Sequence, residues 1–195
     1  MEFLPAPEPP AQPRGEVHVW KAEVGRAESD RTLRQVLSLY LGEEPDAIEL
    51  VRDEHGKPRL AVDSGRLCFN LSHSGDLSLV AVCHGGEVGV DVETIRPRRD
   101  LVALAERALA PADSDAVRAA PAAERAEVFY ELWTRHEARL KCLGVGLGTT
   151  LIDPTPPIAV ETVQPGPGYA AAVAVTGGGL PIRCWTLVPP LPGAG

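Results

Sequence analysis

Two features of membrane and secreted proteins are missing from this sequence. It has no run of about eighteen consecutive apolar residues, as a membrane-spanning helix would require. Its start also lacks the basic and apolar regions of a secretory signal peptide. These absences predict a cytoplasmic protein that does not bind membranes.

Positive charge and cysteine motifs are scarce as well. The 19 Lys and Arg residues are outnumbered by 27 Asp and Glu residues, which gives a formal net charge of -8. This balance argues against nucleic acid as a partner, because nucleic acid is normally met by a broad basic surface. Anionic ligands must instead be met by local basic clusters.

The four cysteines are scattered without a Cys-x-x-Cys pair, which argues against a zinc or redox motif and favours reduced, buried thiols.

The pattern of apolar residues predicts an α+β fold. The chain has 195 residues, of which 44% are hydrophobic, and this suffices for a packed core. Residues 1–15 are rich in proline and poor in large apolar groups, which predicts a flexible tail, and residues 189–195 are predicted to be loose. The predicted strands lie near residues 17–22, 48–51, 77–83, 88–93, 151–153, 158–160, 169–175 and 182–188. The predicted helices cover residues 29–41, 101–110, a segment between Pro111 and Pro121, and a central helix from residue 122 or 123 to residue 143.

The central predicted helix carries a charged pair beside its apolar stripe. Its large apolar residues recur at three- and four-residue steps, which is typical of an amphipathic helix. Glu137 and Lys141 lie one turn apart, so their side chains share one patch of the helix surface. Taken alone, such a pair is most often a weak surface ion pair. The predicted stripe consists of Phe129, Leu132, Trp133, His136, Leu140 and Leu143.

Two carboxylates project from one predicted strand. Between residues 88 and 93, valines alternate with a glycine and two acidic residues, so the valines face one side while Asp91 and Glu93 face the other. Carboxylates that project together repel each other unless a proton or a cation lies between them. Together with Glu137 they would supply three hard oxygen donors, a set that suits Mg²⁺.

Three motifs follow one another along the chain. They read Phe-Asn-Leu-Ser-His-Ser-Gly at residues 69–75, Val-Gly-Val-Asp-Val-Glu at 88–93 and Trp-Thr-Arg-His-Glu-Ala-Arg-Leu-Lys at 133–141. In order and spacing they resemble the 4′-phosphopantetheinyl transferases of the Sfp (surfactin-synthetase-activating) type, over residues 16–150. The resemblance implies two similar α+β halves related by pseudo-twofold symmetry, with coenzyme A in the cleft between them. The nucleotide-binding half would be residues 16–88 and the metal-binding half residues 89–195.

The resemblance also implies an activity. Members of this family transfer phosphopantetheine from coenzyme A to a serine of an acyl or peptidyl carrier protein, with Mg²⁺ as cofactor and 3′,5′-ADP as the second product. The carrier could serve fatty acid, polyketide or nonribosomal peptide synthesis, and a cleft completed within one chain suggests a monomer. By the same resemblance, Asp91, Glu93 and Glu137 would hold Mg²⁺, while Lys141 would neutralise charge on the phosphate oxygens.

Coenzyme A itself would be held by a second group of residues. In the family, the Ser and His matched by Ser72 and His73 bind the diphosphate and the 3′-phosphate end of coenzyme A. Lys57, in a Gly-Lys-Pro turn, would meet the nucleotide phosphates. A basic residue near the start of the first helix also meets phosphate in the family; Arg31 is the first choice for it, and Arg34 is the alternative.

The chain departs from the family at one position of the central helix. His136 stands where the family usually has Lys before the metal-binding Glu, and its place on the apolar stripe favours a packed histidine. The base that activates the carrier serine stays open between Glu137, a metal-bound water and another carboxylate.

Two other functions remain: a non-catalytic module that binds coenzyme A or a carrier protein, and a Mg²⁺-dependent phosphohydrolase. The intact acidic residues argue against the first, and the absence of a recognisable water-activating motif argues against the second.

Overall fold

The computed structural model of the chain describes residues 1–6, 12–53, 56–62, 67–146 and 157–187. Within these ranges the strands are β1 (Leu4–Pro5), β2 (Val17–Ala22), β3 (Leu50–Arg52), β4 (Pro58–Leu60), β5 (Leu67–Ser74), β6 (Leu77–His84), β7 (Val88–Thr94), β8 (Ile158–Val163), β9 (Tyr169–Thr176) and β10 (Ile182–Thr186). The helices are α1 (Ser29–Leu41), α2 (Leu101–Ala108), α3 (Pro111–Ala119) and α4 (Arg125–Leu143), with 3₁₀ helices at Arg26–Glu28 and Pro45–Ala47. None of the helices in these ranges is both long enough and apolar enough to cross a membrane. The mixture of helices and sheets confirms the predicted α+β class.

The described strands form two main sheets and one hairpin. The larger sheet has the strand order β1-β10-β2-β6-β5, the smaller sheet has the order β7-β9-β8, and β3 pairs with β4. β10 pairs with β2 in parallel, whereas the pairs β2–β6, β5–β6 and β7–β9 are antiparallel. Since β10 comes from the C-terminal part of the chain, the larger sheet draws on both ends of the sequence.

The two sheets share one aliphatic core. Val17 and Val19 of β2, Val88 and Val90 of β7, and Val173 of β9 belong to the same buried cluster. Because successive side chains of a strand face opposite sides, the inward valines of β7 leave its acidic residues on the other side. This arrangement confirms the alternation predicted for residues 88–93.

α1 covers the opposite face of the larger sheet. It runs over Ser29–Leu41 and ends where Gly42 adopts the left-handed conformation, with φ of 69°. A glycine at this position is a common helix stop, and the helix ends at the predicted residue, while its N-cap is Glu28. Leu33 and Leu37 of α1 pack in one cluster with Trp20 of β2, which fixes the helix on the sheet.

α4 packs on the smaller sheet through small side chains. Thr134, Ala138 and Cys142 lie one turn apart and are buried on the side of β7 and β9. A Cβ atom at Gly89 of β7 would lie 2.1 Å from the carbonyl oxygen of Ala138 and 2.4 Å from the amide nitrogen of Cys142, so α4 approaches β7 more closely than any side chain at this position permits. The predicted stripe of large residues is therefore only part of the buried face. Phe129 and Leu140 are buried, but Leu132, Trp133, His136 and Leu143 are only half-buried.

Part of the N-terminal segment lies on the larger sheet. Leu4–Pro5 pairs in parallel with Trp185 and Thr186 of β10. Phe3 packs against the core between the sheets, and Lys21 Nζ lies 5.4 Å from the centroid of its ring. The β1–β10 pairing and the Phe3 side chain thus hold the start of a segment whose proline content predicts a flexible tail. Residues 7–11 of this segment, the predicted strand at 151–153 and the predicted loose end at 189–195 lie outside the described residues.

Candidate active site

A cavity of about 410 Å³ opens where the β3–β4 hairpin, β5 and the C-terminal end of α4 meet. This volume lies within the range of ligand pockets, which is about 300–1,000 Å³. Its lining is rich in cationic side chains, as an anionic ligand would require. They are Arg26, Arg52, Lys57 and Lys141, and His73 lies among them.

Asp91 lies at the centre of a hydrogen-bond cluster beside this cavity. It is only 3% exposed. Its Oδ1 accepts hydrogen bonds from Lys141 Nζ at 2.6 Å and from Ser72 Oγ at 2.9 Å. Its Oδ2 is buried and has no hydrogen-bond partner among the described residues. One oxygen of Asp91 is therefore neutralised by lysine, while the other remains available to a cation.

Glu137 is brought towards the same place by α4. Its Oε1 is likewise buried without a partner in the described part of the chain. The pKa of Glu137 is raised to about 7, first by burial and then by the charge of Asp91, while Lys141 opposes the rise and Glu93 adds to it. The pKa of Glu93 is also raised, first by burial and then by Asp91. The three carboxylates therefore lie close enough to repel one another.

The chemistry of this donor set fits a hard divalent cation. Two buried carboxylate oxygens that lack partners, one on β7 and one on α4, are costly unless a proton or cation meets them. Over the described ranges, however, no group of three or more His, Cys, Asp or Glu side chains already has the arrangement of a metal site. The ammonium group of Lys141 instead contacts Asp91 directly. The assignment of Asp91, Glu93 and Glu137 as Mg²⁺ ligands thus stays a prediction that the donor chemistry supports.

Ser72 and His73 are adjacent on β5 but face different surroundings. Ser72 is 5% exposed, and its hydroxyl group donates to Asp91 while it accepts from Lys141 Nζ at 3.0 Å. His73 lines the cavity, and its pKa is lowered by burial and then by the charges of Arg26 and Lys141. Of the two, His73 is the residue placed to meet a ligand in the cavity, whereas Ser72 contacts the carboxylate cluster.

Lys57 lines the cavity and also ties the β3–β4 hairpin to α4. Its side chain is 9% exposed. Its Nζ contacts Glu87 Oε2 at 3.3 Å, the carbonyl oxygen of Val88 at 3.4 Å and that of Lys141 at 3.1 Å. The last contact places a positive charge at the C-terminal end of α4, where it interacts favourably with the helix dipole. The nucleotide contact expected of Lys57 stays a prediction.

Neither arginine predicted to meet phosphate lines the cavity. Arg31 lies exposed on α1, and Arg34 Nε donates to the carbonyl oxygen of Ile48 at 3.2 Å. Arg26, just before α1, and Arg52, on β3, line it instead. The sequence analysis identified neither, because it considered as phosphate ligands only the arginines inside the predicted helix. The position of Arg26, one turn before the start of that helix, could have indicated it as a further candidate.

The two cavity arginines differ in their partners. Arg52 forms an ion pair with Asp30, with its NH2 nitrogen 2.9 Å and 3.0 Å from the two carboxylate oxygens. Arg26 has no ion pair within the described ranges, and its charge contributes to the lowered pKa of His73. Arg26 is therefore the cavity arginine best placed to meet an anion.

His136 lies on the side of α4 that faces α3. It is half-buried, and its pKa is lowered by burial and by Arg139, while Asp113 of α3 opposes the shift. It does not line the cavity. The difference from the family motif at this position thus lies away from the cationic lining.

Comparison with known proteins places the chain in one family. HetI of Nostoc sp., a 4′-phosphopantetheinyl transferase, is 36% identical over 169 residues, which cover 78% of this chain and 71% of HetI. This chain belongs to the 4′-phosphopantetheinyl transferase superfamily. The family model of that superfamily matches residues 87–176. AcpT of Salmonella typhimurium is 35% identical over 117 residues, or 60% of each chain, and the 4′-phosphopantetheinyl transferase of Bacillus subtilis is 29% identical over 122 residues, or 63% of this chain and 53% of that protein.

The superfamily match coincides with one structural layer. Residues 87–176 extend from just before β7 to the end of β9 and include α4. The matched segment therefore contains the whole smaller sheet, the three acidic residues and Lys141. Arg26, Arg52, Lys57 and His73 precede it and line the cavity from the segment before α1, from the β3–β4 hairpin and from β5.

Proposed function

We propose that this protein transfers 4′-phosphopantetheine from coenzyme A to a serine hydroxyl group of a carrier protein and releases 3′,5′-ADP. One observation carries the proposal: Asp91 and Glu137 each have a buried oxygen without a partner in the described part of the chain, and they lie with Lys141 beside a cavity rich in cationic side chains. Membership of the superfamily and the names of the relatives support the same activity. The protein is thus an enzyme of the transferase class.

The reaction is a displacement at phosphorus. The serine hydroxyl group of the carrier gives up its proton to a base, for which Glu137 is one candidate, and its oxygen forms a bond to the β-phosphorus of coenzyme A, while the bond from that phosphorus to the bridging oxygen of 3′,5′-ADP breaks. Negative charge grows on the phosphate oxygens and on the leaving group, so catalysis depends mainly on alignment and charge neutralisation. Lys141 lies at the cavity wall beside Asp91, where its ammonium group can neutralise such charge.

The cation and the nucleotide would be held by different elements. Asp91, Glu93 and Glu137 are the residues that would hold Mg²⁺, which would neutralise the diphosphate when bound. Arg26 and His73, which also line the cavity, would bind and orient the phosphates of the nucleotide. Alignment would follow from the packed strands and helices that carry both groups.

We further propose that the enzyme is of the Sfp type and acts as a monomer in the cytoplasm on acyl or peptidyl carrier proteins. The three motifs at residues 69–75, 88–93 and 133–141 support the subtype. The cavity draws its lining from both predicted halves, 16–88 and 89–195, which supports a site completed within one chain.

Mass spectrometry of a carrier protein tests the proposal. An apo carrier incubated with coenzyme A, Mg²⁺ and this protein should gain the mass of the phosphopantetheine arm. Hydrolysed coenzyme A with unaltered carrier would instead support a phosphohydrolase, and unaltered carrier with intact, bound coenzyme A would support a binding module.

A matched pair of variants localises the activity. Asp91→Asn should fold but lose transfer, because it removes one negative charge from the buried cluster. Asp46→Asn, an equivalent change at an exposed position in the Pro45–Ala47 3₁₀ helix, should retain full activity. Full transfer by a folded Asp91→Asn protein would contradict the assignment.

A further inference from the structure

The strand that carries Asp91 and Glu93 is held at its open edge by side chains of another sheet. Among the described strands, β7 pairs through its backbone only with β9. On its other edge, its amide groups donate to side chains of β5. The three bonds are Val90 N to Asn70 Oδ1 at 2.8 Å, Val92 N to Ser72 Oγ at 3.3 Å and Thr94 N to Ser74 Oγ at 3.0 Å.

These bonds share one register. Each joins residues that are 20 positions apart in the chain. Alternate residues of a strand face the same side, so Asn70, Ser72 and Ser74 project together from one face of β5. A shift of β7 by one residue would break all three bonds and turn its acidic residues towards the aliphatic core. The β5 side-chain ladder, as we call these three residues, therefore takes the place of a backbone pairing.

Two members of the ladder also contact the carboxylates directly. Ser72 Oγ donates to Asp91 Oδ1 at 2.9 Å, and Ser74 Oγ donates to Glu93 Oε2 at 3.1 Å. A serine hydroxyl group has one hydrogen to donate and lone pairs with which to accept. The same oxygen can therefore accept the amide hydrogen of one β7 residue and donate to the carboxylate of the residue just before it. Backbone position and carboxylate orientation are fixed by one atom.

We propose that Asn70, Ser72 and Ser74 are positioning residues, which set the register of β7 and orient the carboxylates of Asp91 and Glu93. The metal-related part of this inference rests on the proposed function, since it takes these carboxylates as cation ligands. The part concerning register rests on the hydrogen bonds alone. β5 would then serve the site with both faces: the ladder projects from one face and His73 from the other, and both Asn70 and His73 line the cavity.

Apolar side chains could not replace the ladder. Buried amide groups that lose their acceptors carry a large desolvation penalty. Alanine or valine at these positions would leave the edge amides of β7 without partners, even if the packing were preserved. Short polar residues alternate at positions 70, 72 and 74 because the three edge amides of β7 require hydrogen-bond acceptors there.

Ser74→Ala provides the sharpest test, because Ser74 is only half-buried and lies at the end of its strand. Mn²⁺ binding, measured by electron paramagnetic resonance without coenzyme A, reports on the carboxylates independently of transfer. Loss of a residue that orients a metal ligand typically weakens metal binding by about 10- to 100-fold, and we expect this range for Ser74→Ala. Ser74→Thr keeps the hydroxyl group and should restore binding.

Ser78→Ala is the matched control. Ser78 is a buried serine of β6 that donates to the carbonyl oxygen of Val24 at 3.1 Å, so its loss removes a buried hydrogen bond without touching β7. Its Mn²⁺ affinity should equal that of the wild type. Should Ser74→Ala fail to fold, Ser74→Cys offers a second variant of similar shape whose thiol is a much weaker donor, and the same loss is expected.

Amide hydrogen exchange of Thr94, followed by nuclear magnetic resonance, is the second readout. The Thr94 amide should be protected in the wild type and in Ser78→Ala, and should exchange faster in Ser74→Ala. Unchanged protection together with unchanged Mn²⁺ affinity in Ser74→Ala would overturn the inference. A wild-type protein that neither binds Mn²⁺ nor transfers phosphopantetheine would refute the proposed function, while the exchange rate of Thr94 would still decide the ladder.

Discussion

Gly89 controls how closely α4, which carries Glu137 and Lys141, approaches β7, which carries Asp91. Its effect can be tested with one added methyl group. In Gly89→Ala the new Cβ would lie 2.1 Å from the carbonyl oxygen of Ala138 and 2.4 Å from the amide nitrogen of Cys142. Both clashing atoms belong to the helix backbone, so no side-chain rotation can relieve the overlap.

The size of the required movement follows from these distances. Close carbon–oxygen contacts lie at about 3.3–3.6 Å, so α4 must retreat from β7 by roughly 1 Å or more. Overpacking of a tight core costs about 1–3 kcal/mol, and a contact with backbone atoms places this change at the upper end. Glu137 and Lys141 directly precede the two clashing residues and would move with them. A misplacement of about 1 Å can reduce an enzymatic rate about 10²-fold, which is the loss we expect in transfer.

Chemical denaturation and transfer kinetics measure the two effects separately. Gly179→Ala is the matched control, because a Cβ atom at Gly179 would meet nothing within 4 Å and the residue has no left-handed backbone. It should retain the stability and the kcat/KM of the wild type. A Gly89→Ala protein with wild-type stability and wild-type kcat/KM would refute the close approach of α4 to β7 and the geometry derived from it.

Three further predictions concern the cavity, the helix and the cation. Arg26→Ala should lower kcat/KM for coenzyme A by roughly 10- to 100-fold, the worth of a hydrogen bond to a charged group. Arg31→Ala should have little effect, and the reverse order in steady-state kinetics would favour the helix arginine instead. His136→Lys should retain transfer, because this position faces α3, and a folded but inactive variant would show that it reaches the site. Chelation by EDTA should abolish transfer and addition of Mg²⁺ should restore it, with circular dichroism confirming that the fold persists; transfer that survives chelation would argue against a cation on Asp91 and Glu137.

Local signals were sufficient to predict the elements that carry the site. The bounds of α1 follow from its apolar period and from Gly42, and the alternation of valine and acidic residues correctly places the aliphatic side of β7 in the core. The packing face of α4 could not be predicted in the same way. An analysis of periodicity detects large apolar residues, whereas the face against β7 consists of Thr134, Ala138 and Cys142. These side chains are small enough to allow the close approach of the helix to the strand.

The roles of polar residues were harder to predict than the elements. The sequence places Arg31 near the start of a helix but does not show which side of that helix meets the cavity, and Arg26 lines it instead. Ser72 illustrates the same limit. Its motif indicates a phosphate ligand, yet its hydroxyl group is engaged by Asp91 and by Lys141, and such a contact depends on two strands and a helix that are distant in sequence.

The charge balance of the cluster explains why Lys141 and partnerless carboxylate oxygens occur together. Three ionised carboxylates and one ammonium group leave two negative charges in a largely buried place, and an unbalanced buried charge is strongly disfavoured. Protonation of Glu137 would remove part of this excess, and its pKa of about 7 reflects that tendency. One divalent cation would balance this excess while Lys141 stays beside Asp91, and it would meet the oxygens of Asp91 and Glu137 that have no partner among the described residues. Since Lys141 also lines the cavity, its ammonium group could contact a phosphate group there from the same position; a complete transfer of this charge to the phosphate would leave one negative charge on the cluster.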